Sequence, residues 1–112
     1  MYEVSVKTHF SAAHHLRGYR GSCEEHHGHN WEVEVFVSGE TLDKTGILVD
    51  FRDLKKILGR LLDELDHKDL NKVKVFRKHN PTSENIARHL YQRLSRKLTG
   101  MGRRVSRVRV CE

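Results

Sequence analysis

The 112-residue chain is poor in the residues and runs that mark several protein classes. Its two cysteines, Cys23 and Cys111, come with nothing that points to export, so two free thiols are expected rather than a disulfide framework. The single proline, Pro81, falls between two ordered-looking blocks. There is no repeat, low-complexity tract or linker, so residues 1–112 read as one domain. No apolar run approaches the roughly 18 residues of a membrane span, and the opening MYEVSVKTHF lacks the apolar stretch of a secretory signal. Together these absences point to a cytoplasmic protein that takes no membrane as partner. Aromatic residues amount to 7%, and none interleaves with the basic residues as a stacking platform for nucleic acid requires.

What the chain does have is positive charge and histidine. Lysine and arginine number 21 against 15 acids, a net charge of +6 that suits an anionic partner, either nucleic acid or a phosphorylated small molecule. Many of the cations (Arg52, Lys55, Lys56, Arg60, Arg88, Arg93, Arg96 and Lys97) fall on the polar faces of two helical patterns, where a charge run is usually a solvated face. A basic nucleic-acid-binding module with a structural metal is therefore the remote reading, and the expectation is no nucleic acid. Of the nine histidines, five lie between His14 and His29.

The order of periodicities predicts the fold class. Residues 2–13 alternate, with Tyr2, Val4, Val6, Thr8, Phe10 and Ala12 on one face, and residues 29–38 alternate again through Trp31, Val33, Val35 and Val37. A turn at Asp43-Lys44-Thr45-Gly46 leads into Ile47-Leu48-Val49, expected as a short third strand. Asp50 then caps a helix with an apolar stripe of Phe51, Leu54, Ile57, Leu58, Leu61, Leu62 and Leu65. Thr82 or Ser83 caps a second helix with the stripe Ile86, Ala87, Leu90, Tyr91, Leu94 and Leu98, stopped by Gly100 and Gly102. Arg104–Glu112 returns to strand, with Val108, Val110 and Glu112 on one face. The expectation is an α+β domain of order β-β-β-α-α-β, an antiparallel sheet with two helices on one face. Its exposed edge strands favour oligomerisation.

His27-Gly28-His29 opens the second strand in phase with Trp31, and His14 closes the first in phase with Phe10 and Ala12. If the strands pair, three imidazoles converge at one end of the sheet with a fourth position open, the pattern of a catalytic zinc. The bland alternative is a set of solvated or hydrogen-bonded histidines. Cys23, four residues before His27, is either a base or nucleophile beside a cation or an inert small residue. Asp66-His67 is either an oriented imidazole or a chance neighbour pair. Glu112, a carboxylate extending an apolar face, is either a frayed terminus or the holder of a ligand with donors to offer.

Phe10-Ser11-Ala12-Ala13-His14, then Cys23 with His27-Gly28-His29, Leu65-Asp66-His67, Asn80-Pro81-Thr82-Ser83-Glu84 and a closing strand ending in Glu112 occur in that order over essentially the whole chain. This series resembles the 6-pyruvoyl-tetrahydropterin synthase family, and within it the 6-carboxy-5,6,7,8-tetrahydropterin synthases of queuosine biosynthesis. The resemblance implies the tunnelling fold (T-fold), in which subunit sheets join into a barrel as a trimer and two trimers stack as a hexamer. It implies Zn2+ on His14, His27 and His29, and 7,8-dihydroneopterin triphosphate as substrate, which gives the basic surplus a use. It implies Cys23 as base, Asp66 and His67 as proton relay, Glu112 as the grip on the pterin ring, and Thr82 and Ser83 near that ring. The implied reaction is a zinc-dependent lyase step giving 6-carboxy-5,6,7,8-tetrahydropterin, triphosphate and acetaldehyde. Alternatives are a pyruvoyl product without carbon–carbon cleavage, and 6-hydroxymethyl-dihydropterin for folate. The last follows from Glu24 beside Cys23, since some relatives carry glutamate there as the base.

Overall fold

The computed structural model describes residues 1–18 and 27–112, with His27 described by its backbone alone. Strand β1 (Tyr2–His14) and strand β2 (His27–Gly39), 13 residues each, pair antiparallel without a break from Tyr2↔Gly39 to His14↔His27. The alternation sets the register, because a one-residue slip would carry every apolar side chain to the other face. Phe10 and Ala12 of β1 are buried, and Trp31, Val33, Val35 and Val37 of β2 are fully enclosed.

Helix α1 (Phe51–Asp63) starts at Asp50, whose Oδ1 accepts from the Arg52 N–H at 2.8 Å. Helix α2 (Ser83–Leu98) starts at Thr82, whose Oγ1 accepts from the Asn85 N–H at 3.0 Å. Leu54, Leu58, Leu61 and Leu62 of α1 and Ile86, Leu90, Leu94 and Leu98 of α2 bury against the inner face of the sheet, closing the core. Phe51 and Tyr91, expected on the two stripes, are instead exposed.

Strand β3 is only Lys68–Asp69, parallel to β1 at Ala12–Ala13, and strand β4 (Arg103–Cys111) runs antiparallel to β2. The four-stranded sheet has the order β3-β1-β2-β4. The α+β class with both helices on one face is as expected, but two details of the expected topology are corrected. The sheet is mixed rather than antiparallel, and the third strand lies between the helices. Ile47–Val49 is not a strand, because β2 already has β1 on one edge and β4 on the other. Its local amides are diverted to Asp43, whose Oδ1 accepts from the N–H groups of Thr45 (2.8 Å) and Ile47 (3.0 Å). Leu48 and Val49 still contribute apolar surface to the core.

A bulge at Ser106 lets Val105 face Val37 while Arg107 faces Phe36, so Val105 and Val108 both turn to the core despite their odd spacing. The other sheet face is polar, with Lys7–Glu32 (3.8 Å) and Arg107–Glu3 (3.5 Å) ion pairs and the Arg107 guanidinium 3.9 Å from the Phe36 ring centroid. No helix among the described residues is long and apolar enough to cross a membrane. Cys111 is a free thiol, and Cys23 lies outside the described residues.

Candidate metal centre and catalytic cavity

The pairing of β1 with β2 carries two of the expected ligands to one end of the sheet. His14 is the last residue of β1, and His29 pairs with Ala12. Trp31, completely buried, sets both rings edge-on, its centroid 4.8 Å from that of His14 and 5.6 Å from that of His29. The Trp31 indole is itself fixed by donating to the Ala12 carbonyl at 3.4 Å.

The His14 ring is 1% exposed, and its Nδ1 lies 2.8 Å from the Pro81 carbonyl oxygen. A carbonyl only accepts, so Nδ1 carries the proton and Nε2 presents its lone pair. That Nε2 faces Glu112 Oε1 at 3.5 Å, while His29 Nε2 faces Glu112 Oε2 at 3.3 Å. The His14 Nε2 lone pair turned toward a carboxylate oxygen calls for positive charge between them, and a metal ion there can take His29 Nε2 as a second ligand. The spacing suits the ion: ligands about 2.0–2.1 Å from a tetrahedral zinc lie roughly 3.3–3.4 Å apart. His14, His29 and Glu112 thus form a candidate metal site, with one ligand atom of each within 4.8 Å of the others. The Pro81 carbonyl plays the part of the outer partner that orients a ligating histidine.

His27 pairs with His14 in the β1–β2 register, and its side chain lies outside the described residues, as do Cys23, Glu24 and His26. Glu112, expected from the resemblance as a substrate grip, stands directly against the imidazoles.

Asp66 and His67 are in contact. Asp66 Oδ2 lies 3.0 Å from His67 Nδ1, and Oδ1 accepts from the Ser11 N–H at 2.9 Å. The Ser11 amide chiefly, with His67 adding, holds the Asp66 carboxyl below its ordinary pKa against the opposing effect of burial, so it stays an anion. His67 has a left-handed backbone (φ 57°), and its N–H donates to the Ser11 carbonyl. A left-handed non-glycine residue costs on the order of 1 kcal/mol, a strain met at sites where a side chain must point one way. His67 and His29 both border one cavity of about 550 Å³, together with Ser11, Ala13 and Asn30. His67 of the expected relay and one expected metal ligand therefore border a single space.

Thr82 uses its hydroxyl oxygen as the α2 cap and Ser83 is half-buried, one and two residues beyond the carbonyl that holds His14. Two asparagines position this region: Asn71, which stood in none of the motifs, and Asn80, which stood in one without a role of its own. Asn71 pairs with both backbone groups of His15 (2.9 and 3.0 Å), and Asn80 does the same for Arg17 (3.0 and 2.8 Å). The only sequence cue is that asparagine offers a donor and an acceptor on one amide, matching a backbone unit.

The geometry defines a class: an α+β domain whose paired strands set the buried His14 with the part-exposed His29 and Glu112, and whose aspartate–histidine couple shares a cavity with His29. The 6-pyruvoyl tetrahydropterin synthase family model matches residues 3–112, and the chain belongs to that family. It is 39% identical over 110 residues to an Archaeoglobus fulgidus protein provisionally named 6-carboxy-5,6,7,8-tetrahydropterin synthase, covering 97% of this chain and 86% of that one. It is 40% identical over 97 residues to the dihydroneopterin monophosphate aldolase of Pyrococcus furiosus, covering 87% and 78%. The solved structure of Caenorhabditis elegans 6-pyruvoyl tetrahydropterin synthase superposes with a TM-score of 0.79 at 30% identity, over 88% of this chain and 80% of that one. The architecture is the T-fold of that family.

Proposed function

We propose that this protein is a zinc-dependent lyase converting 7,8-dihydroneopterin triphosphate and water to 6-carboxy-5,6,7,8-tetrahydropterin, triphosphate and acetaldehyde. The observation that carries the reading is the cluster of His14, His29 and Glu112, one member of which, His29, borders a cavity that His67, held by Asp66, also borders. His14 and His29 would hold the metal, with His27, opposite His14 in the register, as third imidazole. Bound there, Zn2+ supplies Lewis acidity that makes the hydroxyls of the substrate side chain more acidic. Glu112 accepts hydrogen bonds from the amino and ring N–H groups of the pterin, and Thr82 and Ser83 line the ring's surroundings. Cys23 removes a carbon-bound proton. His67, kept in one orientation by the anionic Asp66, moves protons on the opposite side of the substrate. The surplus of cations draws in the triphosphate.

A second reading rests on Glu24 and on the similarity to the Pyrococcus furiosus aldolase. With Glu24 as base, retro-aldol cleavage of the side chain gives 6-hydroxymethyl-dihydropterin and a two-carbon aldehyde that keeps the phosphate ester. The variants Cys23→Ala and Glu24→Gln separate the two. Under the leading reading Cys23→Ala removes turnover while zinc content stays near that of the unaltered protein, and Glu24→Gln keeps the carboxylated product. If Glu24→Gln alone abolishes turnover, the aldolase reading replaces it.

Assembly as a homo-oligomer, trimer or hexamer, belongs to the same proposal. β4 stands at one sheet edge, and β3 covers only Ala12 and Ala13 of β1 at the other. Both edges offer backbone groups that another copy could pair.

A further inference from the structure

A second cavity, of about 680 Å³, opens between the C-terminal end of α1, the 3₁₀ turn Lys74–Phe76 and the flank of α2. It shares no lining residue with the cavity bordered by His29 and His67. Its volume lies within the range of small-molecule sites. Leu65, Val73 and Val75 give it apolar walls, and the His89 ring adds a flat aromatic surface, itself packed edge-on against the buried Phe76 at 5.8 Å.

The rim is cationic. Residues 72–79 hold Lys72, Lys74, Arg77 and Lys78 and not one acid. Burial of Phe76 turns its neighbours Lys74, Arg77 and Lys78 out to solvent. Across the opening, Arg93 pairs with Glu64 at 3.1 Å, so among the lining residues four cations face one carboxylate. The segment is fixed from behind: the Arg17 guanidinium donates to the Phe76 carbonyl at 2.6 Å, and Asn80 grips the Arg17 backbone. The cavity is thus formed before any ligand arrives, which lowers the cost of binding.

We infer that this cleft is a binding site for a small phosphorylated ligand with a flat heteroaromatic body, the chemistry of a nucleoside polyphosphate. Lys74, Arg77 and Lys78 meet the phosphates, while the apolar walls and the His89 ring take the planar body. His89 is a built-in reporter. Burial first, then the charges of Arg93 and Arg96 against that of Glu64, hold its pKa below the usual histidine value, and a bound polyanion raises it.

The test is calorimetric titration of ATP, inorganic tripolyphosphate and a single-stranded oligonucleotide into the full chain, with the His89 ring signal followed by NMR. ATP should bind once per chain more tightly than tripolyphosphate and shift the His89 signal. The exposed double change Lys74→Glu/Lys78→Glu should weaken it about tenfold or more. Val75→Asp, which places a carboxylate in the wall, should do the same, with melting temperatures confirming that both variants fold. Tripolyphosphate binding as tightly as ATP would overturn the ligand class. Tighter oligonucleotide binding with the same dependence on Lys74 and Lys78 would make the cleft part of a nucleic-acid surface instead. ATP binding that ignores both variants but is lost in His29→Ala, or no binding at millimolar ATP, would overturn the site itself.

Discussion

His67 combines a left-handed backbone with the proposed proton-transfer role. Its φ of 57° suits glycine better than histidine, and its contact with Asp66 is on the surface, where an ion pair is worth little. His67→Gly should therefore leave the thermal stability unchanged or raise it by about 1 kcal/mol while removing turnover. A loss of both would make the imidazole a structural element. The ligand cluster gives a parallel prediction. His14→Ala and His29→Ala should each lower zinc content to a small fraction of the unaltered protein's, measured by elemental analysis after dialysis. Measured in the same way, His27→Ala should also lose the metal and Glu112→Gln should keep it; the reverse result would make Glu112 the third ligand. The variant that keeps the metal identifies the residue that is not a ligand. The phase of His14 and His29 was legible in the sequence because strand alternation fixes which face a side chain takes. The Ser11 amide on Asp66 was not, since that contact joins residues 55 positions apart.

His89 also makes a pH prediction. Its folded pKa is lowered, so the unfolded chain binds the proton more readily. The stability it contributes is complete above the unfolded value of about 6.5 and is lost as pH falls through it toward the lower folded value. His89→Gln should flatten the decline of the urea midpoint between about pH 7 and 5.5, relative to the unaltered protein. An identical slope in the two proteins would remove His89 as a contributor.

At the scale of elements, each helix is set by its cap and its apolar stripe. Thr82→Ala should cost about 1 kcal/mol through the lost bond to the Asn85 N–H, and Leu90→Ala about 2–5 kcal/mol through the cavity it leaves in the core. Denaturant unfolding checks both. The long strands and both helices were legible because one-sided burial writes period 2 or 3.6 into the residues. Ile47–Val49 misled because its apolar run is real and is buried, but whether it pairs depends on which edges of β2 are free. That is decided by β4, more than 50 residues later. β3, two residues long, has no periodicity to display. Val105 could not be placed from its spacing to Val108, because the bulge at Ser106 interrupts the alternation.

Across the whole molecule, the sheet carries both imidazoles and Glu112 to one end, and the segment between the helices closes that end through Pro81, Asn71 and Asn80. The T-fold and the family follow from the architecture and the comparisons, and the reaction is the proposal built on them. The most direct measurement is incubation of the zinc-loaded protein with 7,8-dihydroneopterin triphosphate, with products identified by mass spectrometry. The expected products are 6-carboxy-5,6,7,8-tetrahydropterin and acetaldehyde, both abolished by Cys23→Ala. Exclusive formation of 6-hydroxymethyl-dihydropterin, or no consumption of the substrate, would contradict the proposed reaction.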